Sequence, residues 1–393
     1  MKKKLLVFTS TFPRWKHDTN PPFVYELSKR LTDKFDISVL APHYPMAKEY
    51  EVMDKMRVHR FRYFFEKHEK LACDGGILPN LKKNKLFFLQ VPFFLIAAFF
   101  ALRMQIKENR PDVIHAHWII PQGLIAALLK IFYGVPFVVT SHGSDVSGIK
   151  GFGFFKNFIL ENADRITVVS SSLKKELLSK VNPRLKVDII PMGVDSKLFT
   201  PRKRNSLIRK KYKISGHFLL FVGRLSPEKG INYLISAMQE ISKSFSDAKL
   251  LVVGSGSVEP ELKEYANRLE LNKNILFVGN IPNEKLPEYY ATADIFVSPS
   301  IREGFGLTFV EAQLSGCVPV GTSVGGIKDI IENGKTGLLC KPCDAEDLAK
   351  KVIFLMENLE DRKKISENAK INAKRFEWNV ISKKFNEILS SIK

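Results

Sequence analysis

The chain has 393 residues, 45% hydrophobic and 26% charged, and its 61 Lys and Arg against 41 Asp and Glu give a formal charge of +20. The length predicts two domains with sizeable cores, and the charge favours anionic partners: phosphorylated small molecules, anionic lipid or nucleic acid. Nucleic acid is set aside, because no helix-turn-helix, zinc-finger spacing or RNA-binding aromatic signature occurs.

The opening MKKKLLVFTS has a basic start and an apolar run of four residues. That run is too short for a signal peptide, and a first buried strand over Lys4–Thr9 is expected. Strands follow at Asp36–Leu40, Val113–His117, Pro136–Thr140 and Arg165–Val169, separated by helical patterns such as Pro22–Leu31 and Gly123–Phe132. A second set covers Phe218–Val222, Lys249–Val253, Asn274–Val278, Ile295–Val297 and Val318–Val320, with helices over Ile231–Ile241 and Glu259–Leu269. Strand–helix alternation of this kind predicts parallel sheets covered on both faces, here twice. Between the sets, PRKRNSLIRKKYK at Pro201–Lys213 holds seven basic residues and no acidic one, and is expected to be an exposed linker running into a polar helix. The end of the chain, Phe376–Ile392, predicts a helix with Phe376, Val380, Phe385 and Ile388 as its apolar positions.

Two features need their own weighing. Leu86–Leu102, LFFLQVPFFLIAAFFAL, is 17 residues without a charge, short of the roughly 20 of a membrane span. Lys82, Lys83 and Lys85 precede it, and Arg103 and Lys107 follow. It reads first as a buried core helix, with a membrane-surface helix or a span as the alternatives. The four cysteines are Cys73, Cys317, Cys340 and Cys343. Cys340 and Cys343 have C-x-x-C spacing, but no second Cys/His pair completes a zinc site; they are expected in a loop, in a reducing cytoplasm.

In parallel α/β sheets, ligands sit beyond the carboxyl ends of the strands. The residues that follow strands here are His115 and His117 in VIHAHW, His142, Gly143 and Asp145 in VVTSHGSD, Arg224 and Lys229 in GRLSPEKG, and the stretch PSIREGFGLTFVEA. A dinucleotide fingerprint is not among them: the first strand runs into a loop without glycine, and Gly254-Ser255-Gly256 is followed by Glu259 where a third glycine would stand. Glu303 and Glu311 are separated by seven residues. Gly304 and Gly306 allow a tight entry to a helix over Leu307–Ser315, which Gly316 would stop. Such a helix start attracts a diphosphate. Glu311, one turn in, leans back toward the N-terminus and can accept hydrogen bonds from two hydroxyls, as on a ribose; Glu303 lies where sugar hydroxyls could sit. An Arg fork at 224 and a Lys at 229 suit phosphate.

Together these residues resemble the family 4 glycosyltransferases (glycosyl transferases group 1), a retaining family of GT-B fold. The E-x7-E element, VGRLSPEKG, PMGVD at Pro191–Asp195, FVGNIP at Phe277–Pro282 and VGG at Val324–Gly326 carry the resemblance over nearly the whole chain. It implies two doubly wound Rossmann-like α/β domains facing across a cleft, with a C-terminal helix returning to the first. Residues 1–197 with 376–393 would bind the acceptor and 198–375 the nucleotide sugar. Arg224 and Lys229 would hold the diphosphate, Glu311 the ribose and Glu303 the transferred sugar. Backbone amides of Phe305, Gly306, Leu307 and Thr308, beside Gly304, would meet sugar and phosphate, with Asn280 in the same group. His142 would approach the sugar, supported by Asp145, unless it is an ordinary core histidine; His115 and His117 carry the same two readings. The first loop, FPRWKHDTNPPFVYEL, lacks the glycine pair of many relatives, and Arg14, Trp15, Lys16 and His17 are candidates to face the acceptor.

The implied reaction moves a hexosyl group from GDP-mannose or a UDP-hexose to a lipid-linked or polysaccharide glycan acceptor in cell-envelope synthesis. The expected location is the cytoplasm, peripheral on the inner membrane face. The chain has no D-x-D carboxylate pair, so neither metal nor another cofactor is expected. A nucleotide-sugar epimerase of the same fold and a non-catalytic nucleotide-sugar-binding subunit are the rival readings.

Overall fold

The computed structural model describes residues 2–15, 18, 23–72, 76–147 and 153–392; Lys16, His17, Pro22 and Cys73 lie outside them. The chain divides into two compact units, Met1–Gly193 with Trp378–Lys393, and Val194–Glu377.

The first unit is built on an eight-stranded sheet of β1 (Lys3–Phe8), β2 (Phe35–Pro42), β3 (Tyr50–Met53), β4 (Met56–Phe61), β5 (Val113–His117), β6 (Phe137–Ser141), β7 (Arg165–Val168) and β8 (Val187–Ile189). The order is β3-β4-β2-β1-β5-β6-β7-β8, parallel except for the antiparallel β3–β4 pair. Helices cover both faces, which is why β5 and β6 are buried at every residue and read as continuous apolar runs. The strands without a sequence signal lie at the margins: β3 and β4 form one edge, where β3 alternates between exposed and half-buried, and β8 is three residues at the other.

The C-terminal helix, Trp378–Ser391, belongs to this unit. The Arg30 guanidinium lies 5.0 Å from the centre of the Trp378 ring, Phe385 packs on His115, and the Lys3 ammonium donates to the Ser390 and Ile392 carbonyls at 2.9 and 2.7 Å. Ile381 rather than Val380 faces inward, and Phe376 sits in a short turn of the second unit, against Phe305.

The second unit carries six parallel strands, β9 (Phe218–Val222), β10 (Lys249–Val253), β11 (Ile275–Gly279), β12 (Ile295–Ser298), β13 (Val318–Thr322) and β14 (Leu338–Cys340), in the order β11-β10-β9-β12-β13-β14. The basic stretch 201–213 is part of this unit and not a free linker. It forms a short turn and the helix Ser206–Lys211. Arg209 donates to Asp294 at 2.6 Å and to the Gly216 carbonyl at 2.8 Å, while Asn205 bonds Glu288. Cys340 ends β14, buried, and not in a loop; burial pushes its thiol up to about 12. Cys343 is exposed.

The run Leu86–Leu102 is not a buried core helix. It forms a short turn and the helix Val91–Asn109, with one face in the core of the first unit and the opposite face exposed.

Candidate functional site

In the second unit the chain leaves β9 toward β10 and β11, then returns to lay β12 on the other side of β9. The order reverses between β9 and β12, and ligands of open α/β sheets bind at such a switch point. The loops after these neighbouring strands are 223–230 and 299–306. They are tied by the Ile301 N–H donating to the Glu228 carbonyl at 2.8 Å. Lys229 Nζ meets Glu303 Oε2 at 2.6 Å, both side chains largely sheltered at 22% and 14% exposed; Ser300 Oγ donates to the same oxygen at 3.4 Å. Arg224 is exposed on the same loop. Burial raises the Glu228 carboxyl, but its own backbone N–H, the Ser226 hydroxyl and the charges of Arg224 and Lys229 outweigh that and leave it lowered.

Gly254 and Gly256 hold this loop in place. The Gly223 N–H donates to the Val253 carbonyl and the Leu225 N–H to the Ser255 carbonyl, at 3.0 and 2.9 Å. A Cβ on Gly254 would lie 1.9 Å from the Gly223 oxygen, at φ +127°. The G-S-G element is thus a close-approach device between two loops. Asn280 donates to Ser255 Oγ at 2.9 Å, which joins it to the Arg224 loop.

The helix Leu307–Leu314 starts at Gly306, φ +102°, with no side-chain cap among the described residues; the Phe309 N–H turns back to the Gly306 carbonyl at 3.0 Å, and the N–H groups of Leu307 and Thr308, beside Gly304 and Phe305, have no carbonyl of their own helix to bond. Leu307 and Thr308 are half-exposed and the Phe305 ring is buried. Gly325 fits against the Glu303 carbonyl, where a Cβ would come within 1.8 Å. Glu311, half-buried, accepts from the hydroxyl of the fully buried Tyr290 at 2.9 Å. Burial raises its carboxyl to about 7 against the lowering effect of that hydrogen bond. Tyr290 and Ser300 were not among the predicted residues; Ser300 lies in the stretch PSIREGFGLTFVEA but was not singled out, and Tyr290 stands in no motif.

In the first unit the reversal falls between β1 and β5. His142, after β6, is half-buried, its Nε2 3.1 Å from His117 Nδ1, with Trp118 and Phe23 centred 4.8 and 5.0 Å away. Burial lowers His142 to about 3, with His115 adding to the effect, so it is neutral at pH 7. His117 is fully buried and its Nε2 has no partner among the described residues. A neutral His117 that donates from Nδ1 leaves only a lone pair unsatisfied, the less costly of its two tautomers. His115 is a core histidine, bonded to Thr140 Oγ1 at 2.7 Å. Buried Asp145 accepts from the Ile119 N–H, the Ser141 hydroxyl and the Gly143 N–H at 2.7, 2.7 and 3.1 Å, which fixes the loop that carries His142. In the first loop, Arg14 pairs with Asp18 at 2.7 Å and stacks on Trp15 and Tyr44; Trp15 is exposed.

Two family models divide the chain between them: Glycosyltransferase Family 4 over residues 22–198 and Glycosyl transferases group 1 over residues 204–372. An uncharacterized glycosyltransferase of Methanocaldococcus jannaschii is 31% identical over 319 residues, 80% of this chain and 84% of that protein. N-acetyl-alpha-D-glucosaminyl L-malate synthase of Bacillus anthracis is 30% identical over 271 residues, 67% of this chain and 70% of that protein. Among solved structures, sucrose-phosphate synthase of Thermosynechococcus elongatus superposes with a TM-score of 0.81 at 21% identity, covering 99% of this chain and 98% of that one. Anabaena HepE in complex with UDP gives 0.76 at 19% identity, over 99% and 100%. With two parallel α/β units, a C-terminal helix that returns to the first of them and relatives of this kind, the chain belongs to glycosyltransferase family 4 and is a glycosyltransferase of GT-B fold.

Proposed function

We propose that the chain transfers a hexosyl group, with retention at the anomeric carbon, from a nucleoside diphosphate sugar such as GDP-mannose or a UDP-hexose to a glycan or lipid-linked acceptor. Cell-envelope glycan synthesis on the cytoplasmic side of the membrane is the process this reaction fits. The observation that carries the reading is the meeting of Lys229 and Glu303 at 2.6 Å beside the uncapped helix start at Gly306. A cation, a carboxylate and helix-start N–H groups then lie within one loop pair, as a diphosphate joined to a polyol requires.

In this reading Arg224, Lys229 and the amides of Phe305 to Thr308 hold the diphosphate, Glu311 the ribose and Glu303 the sugar. The bond from the anomeric carbon to the β-phosphate oxygen breaks, and the bond to the acceptor oxygen forms on the same face. The acceptor's proton passes to the departing phosphate oxygen, so no carboxylate nucleophile is used. Negative charge grows on that oxygen as the bond breaks, where Arg224 and Lys229 stabilise it in place of a metal. The test is a screen of nucleoside diphosphate sugars with glycan and lipid-linked acceptors, read by release of nucleoside diphosphate and by the product's anomeric configuration. Inverted product would overturn the mechanism; turnover of the donor to its epimer without acceptor would overturn the activity.

A further inference from the structure

Among the described residues one helical stretch, Lys85–Asn109, is long and apolar enough to cross a membrane. Its inner face is built into the first unit. Phe94, Ala98, Leu102 and Ile106 are buried, and the Phe94 ring packs edge-on against Phe61 and Tyr63 at 5.4 and 5.1 Å. Gln90 donates to the His68 carbonyl at 3.0 Å. The outer face is as apolar as the inner one: Leu86, Leu89, Phe93, Ile96, Phe100 and Met104 are 70, 68, 54, 57, 58 and 49% exposed. The neighbouring helix Leu124–Tyr133, joined through Arg103 Nε to the Tyr133 hydroxyl at 2.8 Å, adds Phe132 at 73% exposure. A helix facing water keeps that side polar, and a contiguous exposed apolar patch marks an interaction site.

The charge around the patch selects the occupant. Residues 76–109 contain Lys82, Lys83, Lys85, Arg103 and Lys107 against a single acidic residue, Glu108. A second copy of the chain would bring the same cations face to face, whereas an anionic bilayer offers hydrocarbon to the aromatic side chains and headgroup charge to the lysines. We infer that the outer face of Val91–Asn109, with the turn before it and the adjacent Phe132, is a docking surface for an anionic membrane. The helix lies on the bilayer and does not cross it, because crossing would strip Phe94, Ala98 and Leu102 out of the core. The inference is independent of the donor site in the second unit.

The test is flotation of the full chain with vesicles of phosphatidylcholine alone and of phosphatidylcholine mixed with phosphatidylglycerol, at low and high salt. Binding is expected only to the mixed vesicles, with release by high salt. The double variant Ile96→Ser, Phe100→Ser should bind at least roughly tenfold more weakly, and Lys82→Glu, Lys83→Glu weaker by about fivefold per residue or more. Ile371→Ser, an equally exposed apolar residue of the second unit, should bind as the parent does. Unchanged melting temperatures establish that the variants are folded. Equal binding to both vesicle types, or parental binding by the Ile96, Phe100 variant, overturns the inference. So does concentration-dependent self-association without lipid that this variant abolishes, which would make the face an interface between copies.

Discussion

Replacing Lys229 by alanine tests the proposed catalytic role against a stabilising one, because in the proposed mechanism the same ammonium serves both. Its contact with Glu303 Oε2 at 2.6 Å is partly screened, with the two side chains 22% and 14% exposed. A pair of that kind contributes about 1 kcal/mol, and its loss should lower Tm by roughly 1 °C in a chain of 393 residues. Among the described residues the Glu303 side chain would keep the long Ser300 contact of 3.4 Å. The catalytic loss should be far larger. A cation at the leaving oxygen binds the transition state more strongly than the ground state, and removing such a stabiliser typically costs about 3–4 kcal/mol, a factor on the order of 10²–10³ in kcat. The assay is steady-state release of nucleoside diphosphate at saturating acceptor, alongside thermal unfolding. A fall in kcat on that scale with a small change in Tm is expected. Unchanged kcat with a raised donor KM would refute the reasoning and make Lys229 a binding anchor only.

Glu311→Gln should change the pH dependence of stability. Folding raises this carboxyl from 4.5 to about 7, so its stabilising contribution is full below pH 4.5 and is lost as pH rises through about 7. The glutamine variant should therefore be more stable than the parent at pH 8, by about 1–2 kcal/mol once partial exposure is discounted, and equal to it near pH 4; denaturant unfolding at the two pH values checks this. Donor KM of the parent should rise as pH falls below about 7, because the ionised carboxylate is the better acceptor for two hydroxyls; a pH profile of KM flat across this range would count against Glu311 as the ribose partner. Gly254→Ala places a methyl 1.9 Å from the Gly223 oxygen, and should lower both Tm and kcat, read by unfolding and the same kinetic assay. Activity should survive excess EDTA; abolition with rescue by manganese would contradict the cationic leaving-group site.

The ten predicted strands all form, because strands buried on both faces leave continuous apolar runs such as FLLFV. The additional strands β3, β4, β8 and β14 lie at sheet margins; β3 is half-wet and β8 and β14 are three residues each, too short for a pattern. The helix after Gly306 was legible because a glycine entry, an apolar turn and Gly316 bracket it. Composition misled where tertiary partners decide. Seven cations made 201–213 look solvated, yet Ile208 is buried and Arg209 is fixed by Asp294. Leu86–Leu102 looked like core because hydropathy cannot say which face finds a partner. Lys229 and Glu303 stood out by spacing and loop position, but their direct pairing did not, since 74 residues separate them. Tyr290 had no signal, being one apolar helix residue among many that happens to reach Glu311.

The central claim is that the loops after β9 and β12 hold a nucleoside diphosphate. Thermal unfolding of the parent chain and of the Arg224→Ala, Lys229→Ala double variant with UDP, GDP, UDP-glucose and GDP-mannose tests it most directly. The account predicts that one nucleotide series raises the parent's Tm and that the rise is lost in the double variant. No stabilisation of the parent by any of the four, or an equal rise in parent and variant, would contradict it.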